Sequence, residues 1–565
     1  MRILIIATVF NSLTQRIFCE MRELGYIVSV QFAINDELMQ NAVKSFHPDI
    51  VICPYLTKFI PESIYTNIPT FIVHPGILGD KGPHSLEHAL FDEKDEWGVS
   101  IIRANAEFDG GDIYALENFP MRDTKKASIY RQEVSTATSK ALKKLLKNLQ
   151  NSSFEPIKQL STPMHRKITP LERAIDWEKD TTKKIIQKIN ASDSFPGVLD
   201  ELLGVKCYLF GVHVEGFDED ENLRNLAKNA QIKEIFAKRD GAVCIKTIDG
   251  AVWISHLKEV LKFKLPATYV LKEKLKGIKE SRIPLIMENH RETFYEIYTE
   301  IKGEVAYLYF DFYNGAFSSE QSIRLKYAVE FLQESCKVLV LMGGKDFFSN
   351  GIHLNILEDS KKAGEDGWSN INAMNDMVRS VLMSDDILTV AAFRSGAGAG
   401  GVFLGLACDY IVAREGVVLN PHYKTIGLSG SEFHTYTLPA RVGKVKAEEL
   451  LENALPLTVK EAKKIGLVDE VFCEETDTFY DELDIFAQSL AEDEDAWFEL
   501  LDAKRQRLQK DTDLILAKHK EELNTMYSQF WEEKSSFHSL RRDFVYKKCP
   551  LSTPERLIYK GEKDA

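Results

Sequence analysis

His74 stands at the carboxyl end of an apolar run, TFIV, and opens a segment with a proline and three glycines, HPGILGDKGPHSLEHAL. An imidazole there is exposed and stiffly held. Asp109, in the D-G-G turn of WGVSIIRANAEFDGGDIYA, is placed to orient that ring or tune its pKa, and the two together make a general base near neutral pH. A second chemistry is written in glycine. Ser395 to Gly401, SGAGAGG, lies between an apolar strand and an apolar helix, where main-chain N–H groups meet a ligand with no Cβ in the way and the helix start adds its positive end. About forty residues upstream, KDFFSNGIHLN follows the apolar run Lys337 to Met342 in the same manner. Two strand-then-glycine turns each offer one N–H, and two donors on one oxygen form an oxyanion hole, in which one donor is worth roughly 3 kcal/mol.

These residues need elements to carry them. Residues 1 to 120 alternate apolar strands (MRILIIA, YIVSVQFA, DIVICPYL, TFIVHPG, VSIIRAN) with amphipathic helices near Leu13 to Leu24 and Asp36 to Phe46, the pattern of a doubly wound parallel sheet. Ligands in such sheets bind beyond the strands' carboxyl ends, where His74 falls. The first turn has no G-x-G-x-x-G, so a dinucleotide is not indicated. VKCYLFGVHVEG and GAVCIKTIDGAVWISHLK alternate and are parted by Asp/Gly turns, as strands of a small β domain. Lys258 to Arg282 is lysine-rich and is expected to be a solvated linker or a contact for phosphates. From Asp495 to Lys534 apolar residues (Trp497, Leu500, Leu501, Leu508, Leu514, Leu516) recur at helical spacing. The tail interleaves Arg541, Arg542, Lys547 and Lys548 with Phe544 and Tyr546, which fits a solvated basic end or, with Arg541 and Arg542 as cofactor contacts, a fold over a ligand.

The expected architecture is α/β multidomain, with 1–160 the doubly wound domain, 161–260 a small OB-like β domain, 261–290 a linker, 291–491 the glycine-turn domain and 492–565 a helical extension. With 565 residues, 44% of them hydrophobic, the chain has ample material for several cores. A net charge of −14 argues against nucleic acid or an anionic membrane as general partner. The eight cysteines are scattered without C-x-x-C, so they read as reduced core thiols, and no metal site is indicated. MRILIIATVF reads as a first strand rather than a signal peptide, no run approaches a membrane span, and the expected location is the cytoplasm.

The glycine turns, with CDYIVA, GKVKAEELL and TVKEAKKIGLVDEVF, resemble the crotonase (enoyl-CoA hydratase/isomerase) superfamily over roughly Arg291 to Ala491. Carried over by position, the resemblance implies that the N–H groups of Ile352 and Gly400 form the oxyanion hole. The two glutamates that handle water in hydratases are replaced by Phe403 and Tyr423, which argues against plain hydration. Tyr423 and Glu432, within NPHYKTIGLSGSEF, are then the groups for proton movement. The N-terminal half resembles formyltransferases that use 10-formyltetrahydrofolate. His74 and Asp109 fall on two of that family's three catalytic positions; the third, an asparagine, is Ile72 here. Ile72, Gly82 and Ser85 are the expected folate-site positions. KITPLERAIDW resembles that family's connector, with Arg173, Asp176 and Trp177 in docking roles.

Over essentially the whole chain this arrangement looks like the HypX (HoxX) family of hydrogenase maturation factors. The resemblance implies 10-formyltetrahydrofolate and coenzyme A as cosubstrates, formyl-CoA as the shared intermediate and carbon monoxide for [NiFe]-hydrogenase as the product, with hydrogenase maturation proteins or a hydrogenase precursor as candidate partners. Two other readings stay open: hydrolysis or lysis of formyl-CoA or another acyl-CoA, and a non-catalytic scaffold that binds folate and CoA.

Overall fold

The computed structural model describes residues 1–217, 220–287 and 291–561. Positions 288–290 of the expected linker and 562–565 of the expected extension lie outside the described residues. The chain divides into two compact units, one of Met1–Glu280 together with the segment from Cys549 on, the other Ser281–Lys548.

The first unit opens on a six-stranded sheet: β1 (Arg2–Ala7), β2 (Ile27–Phe32), β3 (Ile50–Cys53), β4 (Thr70–His74), β5 (Glu96–Arg103) and β6 (Ile113–Pro120), in the order β2-β1-β3-β4-β5-β6. β1 to β4 are parallel, and their apolar runs are buried because helices cover such sheets on both faces. β5 and β6 run antiparallel, joined by the D-G-G turn. Gly111 is required there, since a Cβ would stand 1.8 Å from the Arg103 carbonyl oxygen. Asn11 and Asn35 cap the helices Ser12–Glu23 and Asp36–Phe46, each accepting a backbone N–H of the first turn.

A seven-stranded sheet follows in the same unit, and it extends past the boundary expected at residue 260. Lys264–Pro266 pairs with Ala251–Glu259, and Lys279–Glu280 pairs with Ile235–Arg239. The lysines there mask an apolar set, Leu265, Ala267, Leu271 and Leu275, that is buried. Trp177 docks the connector on this sheet, donating from Nε1 to Asp200 Oδ2 at 2.6 Å, whereas the buried Arg173 pairs with Glu87 of the helix Ser85–Phe91 and the exposed Asp176 pairs with Lys179. The chain's end also returns to this unit. The Phe32 N–H, on the outer edge of β2, donates to Thr553 Oγ1 at 2.8 Å, and the Tyr559 N–H donates to Ser29 Oγ at 3.1 Å.

The second unit is built on a six-stranded sheet whose first strand, Ile297–Lys302, is antiparallel to Val305–Phe310. Val338–Gly343, Leu388–Phe393, Tyr410–Arg414 and Glu470–Phe472 then follow in parallel. Three of these strands continue into a small second sheet at Phe347–Ser349, Gly396–Gly398 and Val418–Asn420. The helix Glu494–Trp531 has 38 residues, a length of about 57 Å. It buries Trp497, Leu501, Leu508, Ile515, Met526 and Phe530 together with two charged residues, Lys504 and Glu522, whereas Leu500, Leu514 and Leu516 of the expected stripe are exposed. Lys504 Nζ meets Asp409 Oδ2 at 2.7 Å, which compensates its burial.

Among the described residues no helix is long and apolar enough to cross a membrane. All eight cysteines are free; five are buried, and Cys549 is exposed. Replacing Thr553 by Val keeps the shape but leaves the Phe32 N–H unpaired. This is expected to cost the first unit roughly 1–3 kcal/mol, measured by chemical denaturation.

Candidate active sites

His74 closes β4, and its ring, expected from the sequence to be exposed, is buried because the fold brings two carboxylates against it. Nε2 lies 2.6 Å from Asp80 Oδ2, and Nδ1 lies 3.6 Å from Asp109 Oδ2. The sequence pointed to Asp109 as the residue that holds the ring, but the hydrogen-bonded partner is Asp80, which the glycine-rich turn brings back beneath it. Gly76 makes that return possible, because a Cβ there would sit 2.2 Å from Asp80 Oδ2 and 2.4 Å from His74 Nε2. Neighbouring side chains fix the turn. The Pro75 carbonyl accepts from Trp97 Nε1 at 2.8 Å and from Ser85 Oγ at 2.7 Å, and the Gly76 carbonyl accepts from Ser100 Oγ at 2.7 Å. Ser85, expected at the folate, thus braces the loop that follows His74.

Gly82 has a left-handed φ of +99°, and its N–H donates to Asp109 Oδ2 at 3.1 Å. From the connector, His165 brings Nε2 to 2.9 Å from Asp80 Oδ1 and stacks on His88. Ile72 lies on the same face of β4 as His74, and its aliphatic side chain packs against the cluster of Leu4, Ile6 and Val51 rather than offering a donor.

The electrostatics separate the two acids. Burial alone would depress His74, but the hydrogen bond to Asp80 and the charges of Asp109 and Asp80 outweigh it and raise its pKa. Burial pushes Asp109 up, while at Asp80 the bond to His74 overcomes burial and holds the pKa below the usual value. An ionised Asp80 only accepts, so Nε2 carries the ring proton and Nδ1 is the basic nitrogen, on the side of Asp109.

In the second unit Ile352 ends the short strand Gly351–Ile352, and Gly400 opens the helix Gly400–Leu406. The Gly400 N–H has no acceptor within that helix. The two turns touch: a Cβ at Gly351 would stand 3.2 Å from the Gly400 nitrogen. Between them and the helix, Ala399 takes φ 48°, a conformation unfavourable for a residue with a Cβ. Beside Gly400 stands Glu432, whose Oε1 would meet a Gly400 Cβ at 2.6 Å.

Tyr423 donates from its hydroxyl to Glu432 Oε2 at 2.5 Å, with both side chains buried. Burial raises both groups, Tyr423 well above the ordinary phenol and Glu432 above the ordinary carboxyl despite the hydrogen bond from Tyr423. Phe403 stacks on the Tyr423 ring at 5.0 Å.

The tail arginines both face one carboxylate, on the helix Leu354–Asp359 that follows Ile352. Arg541 is buried with Nε 2.9 Å from Glu358 Oε2, and the more exposed Arg542 lies 4.0 Å from the same carboxylate. Among the described residues no group of three or more His, Cys, Asp or Glu is placed to hold a metal ion. Sequence reasoning missed Asp80, His165 and Glu522. Asp80 had a readable signal, an acid six residues after His74 inside the same glycine-rich loop; His165 and Glu522 had none.

A family model described as formyl transferase matches residues 27–146, its C-terminal domain matches 167–274, and one described as enoyl-CoA hydratase/isomerase matches 300–549. Over 98% of this chain and 96% of its own length, the hydrogenase maturation factor HoxX of Bradyrhizobium diazoefficiens is 36% identical. The chain belongs to the HypX/HoxX family of hydrogenase maturation factors. A crystal structure of HypX from Aquifex aeolicus in complex with tetrahydrofolic acid superposes on this HypX/HoxX chain with a TM-score of 0.94 and 40% identity, covering 99% of this chain and 98% of that one. A methionyl-tRNA formyltransferase of Dictyoglomus thermophilum is 28% identical over 40% of this chain and 72% of its own length. With formyltransferase and crotonase-like domains, this HypX/HoxX protein is an enzyme of the transferase class.

Gly76→Ala, which forces the His74–Asp80 pair apart, is expected to lower the His74 pKa, as an NMR titration of the ring will read. Because that pKa is raised, the neutral ring should be lost as pH drops through a value above that of an ordinary imidazole. Asp80→Asn leaves burial dominant, lowers the His74 pKa and moves that midpoint to lower pH.

Proposed function

We propose that this chain makes carbon monoxide for [NiFe]-hydrogenase maturation in two steps, formyl transfer from 10-formyltetrahydrofolate to coenzyme A and decarbonylation of the resulting formyl-CoA. The observation that carries the second step is the buried Tyr423–Glu432 hydrogen bond set against Gly400. It supplies a proton-moving couple beside two backbone donors and lacks the paired glutamates that hydration requires. The bound tetrahydrofolic acid of the Aquifex aeolicus relative supports a folate at the His74 site.

At that site Nδ1 of His74 takes the proton of the CoA thiol, whose ordinary pKa of about 8.5 asks for only modest help. The thiolate attacks the formyl carbon. The proton that His74 took is returned to the folate nitrogen as the carbon–nitrogen bond breaks, with Asp109 beside Nδ1 to steady the imidazolium. In the second unit the thioester carbonyl accepts from the N–H groups of Ile352 and Gly400. Glu432 then takes the formyl hydrogen as a proton, the C–H electron pair stays on carbon, and the C–S pair leaves with sulfur. Sulfur is protonated from the Tyr423–Glu432 couple, so formyl-CoA gives one CO and one CoA thiol.

In a headspace assay with 10-formyltetrahydrofolate and CoA, scored by carboxyhaemoglobin, wild-type protein is expected to release CO. Tyr423→Phe should lose at least about a hundredfold of that release while tetrahydrofolate still forms, and His74→Ala should lose both products. Formate in place of CO would overturn the decarbonylation and favour hydrolysis; absence of any turnover would favour a scaffold.

A further inference from the structure

Glu432 sits in an unusual piece of backbone. It and Phe433 are consecutive non-glycine residues in the left-handed region, with φ of 55° and 59°, a conformation that persists only where the surroundings enforce it. The enforcement comes from the helix Glu494–Trp531, far along the chain. The buried carboxylate of Glu522 accepts the Phe433 N–H at 3.1 Å, the Thr435 N–H at 2.8 Å and the Thr435 hydroxyl at 2.7 Å. From the same helix, Gln529 Oε1 accepts the Ser429 N–H at 2.8 Å and Asp511 accepts the Tyr436 hydroxyl at 2.8 Å. On the opposite side, Asn375 Oδ1 accepts the Glu432 N–H at 2.8 Å.

Glu522 also meets a third residue there. His434 Nδ1 lies 3.2 Å from Glu522 Oε1 and 2.8 Å from the Ser431 carbonyl, and the His434 ring stands 5.3 Å from both the Tyr423 and Phe403 rings. His519, on the long helix, brings Nδ1 to 3.4 Å from Glu522 Oε2 and stacks on Phe433. The titratable groups that face Glu432 are therefore Tyr423, His434, Glu522 and His519; the helices Ala363–Leu382 and Gly400–Leu406 contribute the neutral Asn375 and Phe403.

We propose that Glu522 is the positioning residue of the second site, fixing the turn that carries Glu432 and pairing with His434 so that an imidazolium stands beside the Tyr423–Glu432 couple. The electrostatics agree with the geometry. Burial would strip His434 of its proton, but the hydrogen bond and charge of Glu522 raise its pKa, while Glu522 itself is held down to about 2. At Glu432, burial raises the pKa and the Tyr423 bond and the His434 charge oppose it, with the repulsion of Glu522 the smallest contribution. This deepens the reading of Glu432 as the proton-moving group and rests on it for its function.

The test reads Glu432 directly. In protein labelled with 13Cδ-glutamate, its carboxyl resonance is assigned by its loss in Glu432→Gln and titrated with pH. Phe433 donates to Oε2 and Thr435 to Oε1, so Glu522→Gln keeps an oxygen for one of these N–H groups and removes the charge that holds the His434 proton. It is expected to raise the Glu432 midpoint by about one pH unit, and His434→Gln should do the same without touching Glu522. Thr435→Val, which removes a hydrogen bond and no charge, should leave the midpoint in place. Where CO is released, the pH limb of its production should move with the midpoint. A Glu432 midpoint unmoved in folded His434→Gln, or in folded Glu522→Gln, overturns the proposal. The midpoint needs no turnover, so a shifted Glu432 in a protein that releases no CO would sink decarbonylation and leave the positioning role standing.

Discussion

Charge taken out of water has to be answered by a partner, and both candidate sites are arrangements of such answers. His74 lies between Asp80 and Asp109, Glu432 receives the Tyr423 hydroxyl, and Glu522 gathers two backbone N–H groups, a hydroxyl and an imidazole. Lys504 against Asp409 shows the same demand where no chemistry is at stake. An unpaired buried charge costs several kcal/mol, so each of these groups fixes the position of its partner as firmly as packing does. The glycines serve this requirement. Gly76, Gly351 and Gly400 stand where a Cβ would collide with the very groups that must meet.

Neighbouring groups are also pushed apart in acidity. Asp80 and Asp109 flank one ring, yet one is held ionised by its hydrogen bond and the other is moved toward its acid form by burial. That division gives a single imidazole a permanent anion on one nitrogen and a proton-accepting face on the other. In the second unit, stacked Phe403 and Tyr423 leave Glu432 as the carboxyl next to the glycine turns.

Much of this was legible in the sequence where the signal is local. The apolar runs of β1 to β4, the placement of His74 at a strand end, and the D-G-G turn are read from neighbouring residues, and the structure has them. The glycine turns likewise announce a close approach of backbone, although which two of them touch is a matter of tertiary fold. What escaped is long-range or masked. Glu522 lies among charges on a helix and nothing in its neighbourhood marks it as buried; its meaning comes from a turn ninety residues earlier. His165 reaches Asp80 from the connector. Lysines hid the strand at Lys264–Pro266 and the buried leucines around it, because a solvated face and a linker have the same composition.

The return of the chain to its own beginning has a consequence for synthesis. The second unit is an insertion within the first, since the segment from Cys549 on belongs with the N-terminal sheet and covers the Phe32 N–H on the β2 edge. A ribosome adding roughly 5–20 residues per second leaves that edge open for about 20 seconds or more after the rest of the sheet has emerged, since β6 ends at Pro120 and the cover is Thr553. Throughout that interval β2 presents unpaired backbone groups, the template on which strands of other chains dock. The nascent protein is thus most exposed to misassembly at its oldest part, until the segment that carries Thr553 and Tyr559 covers that edge.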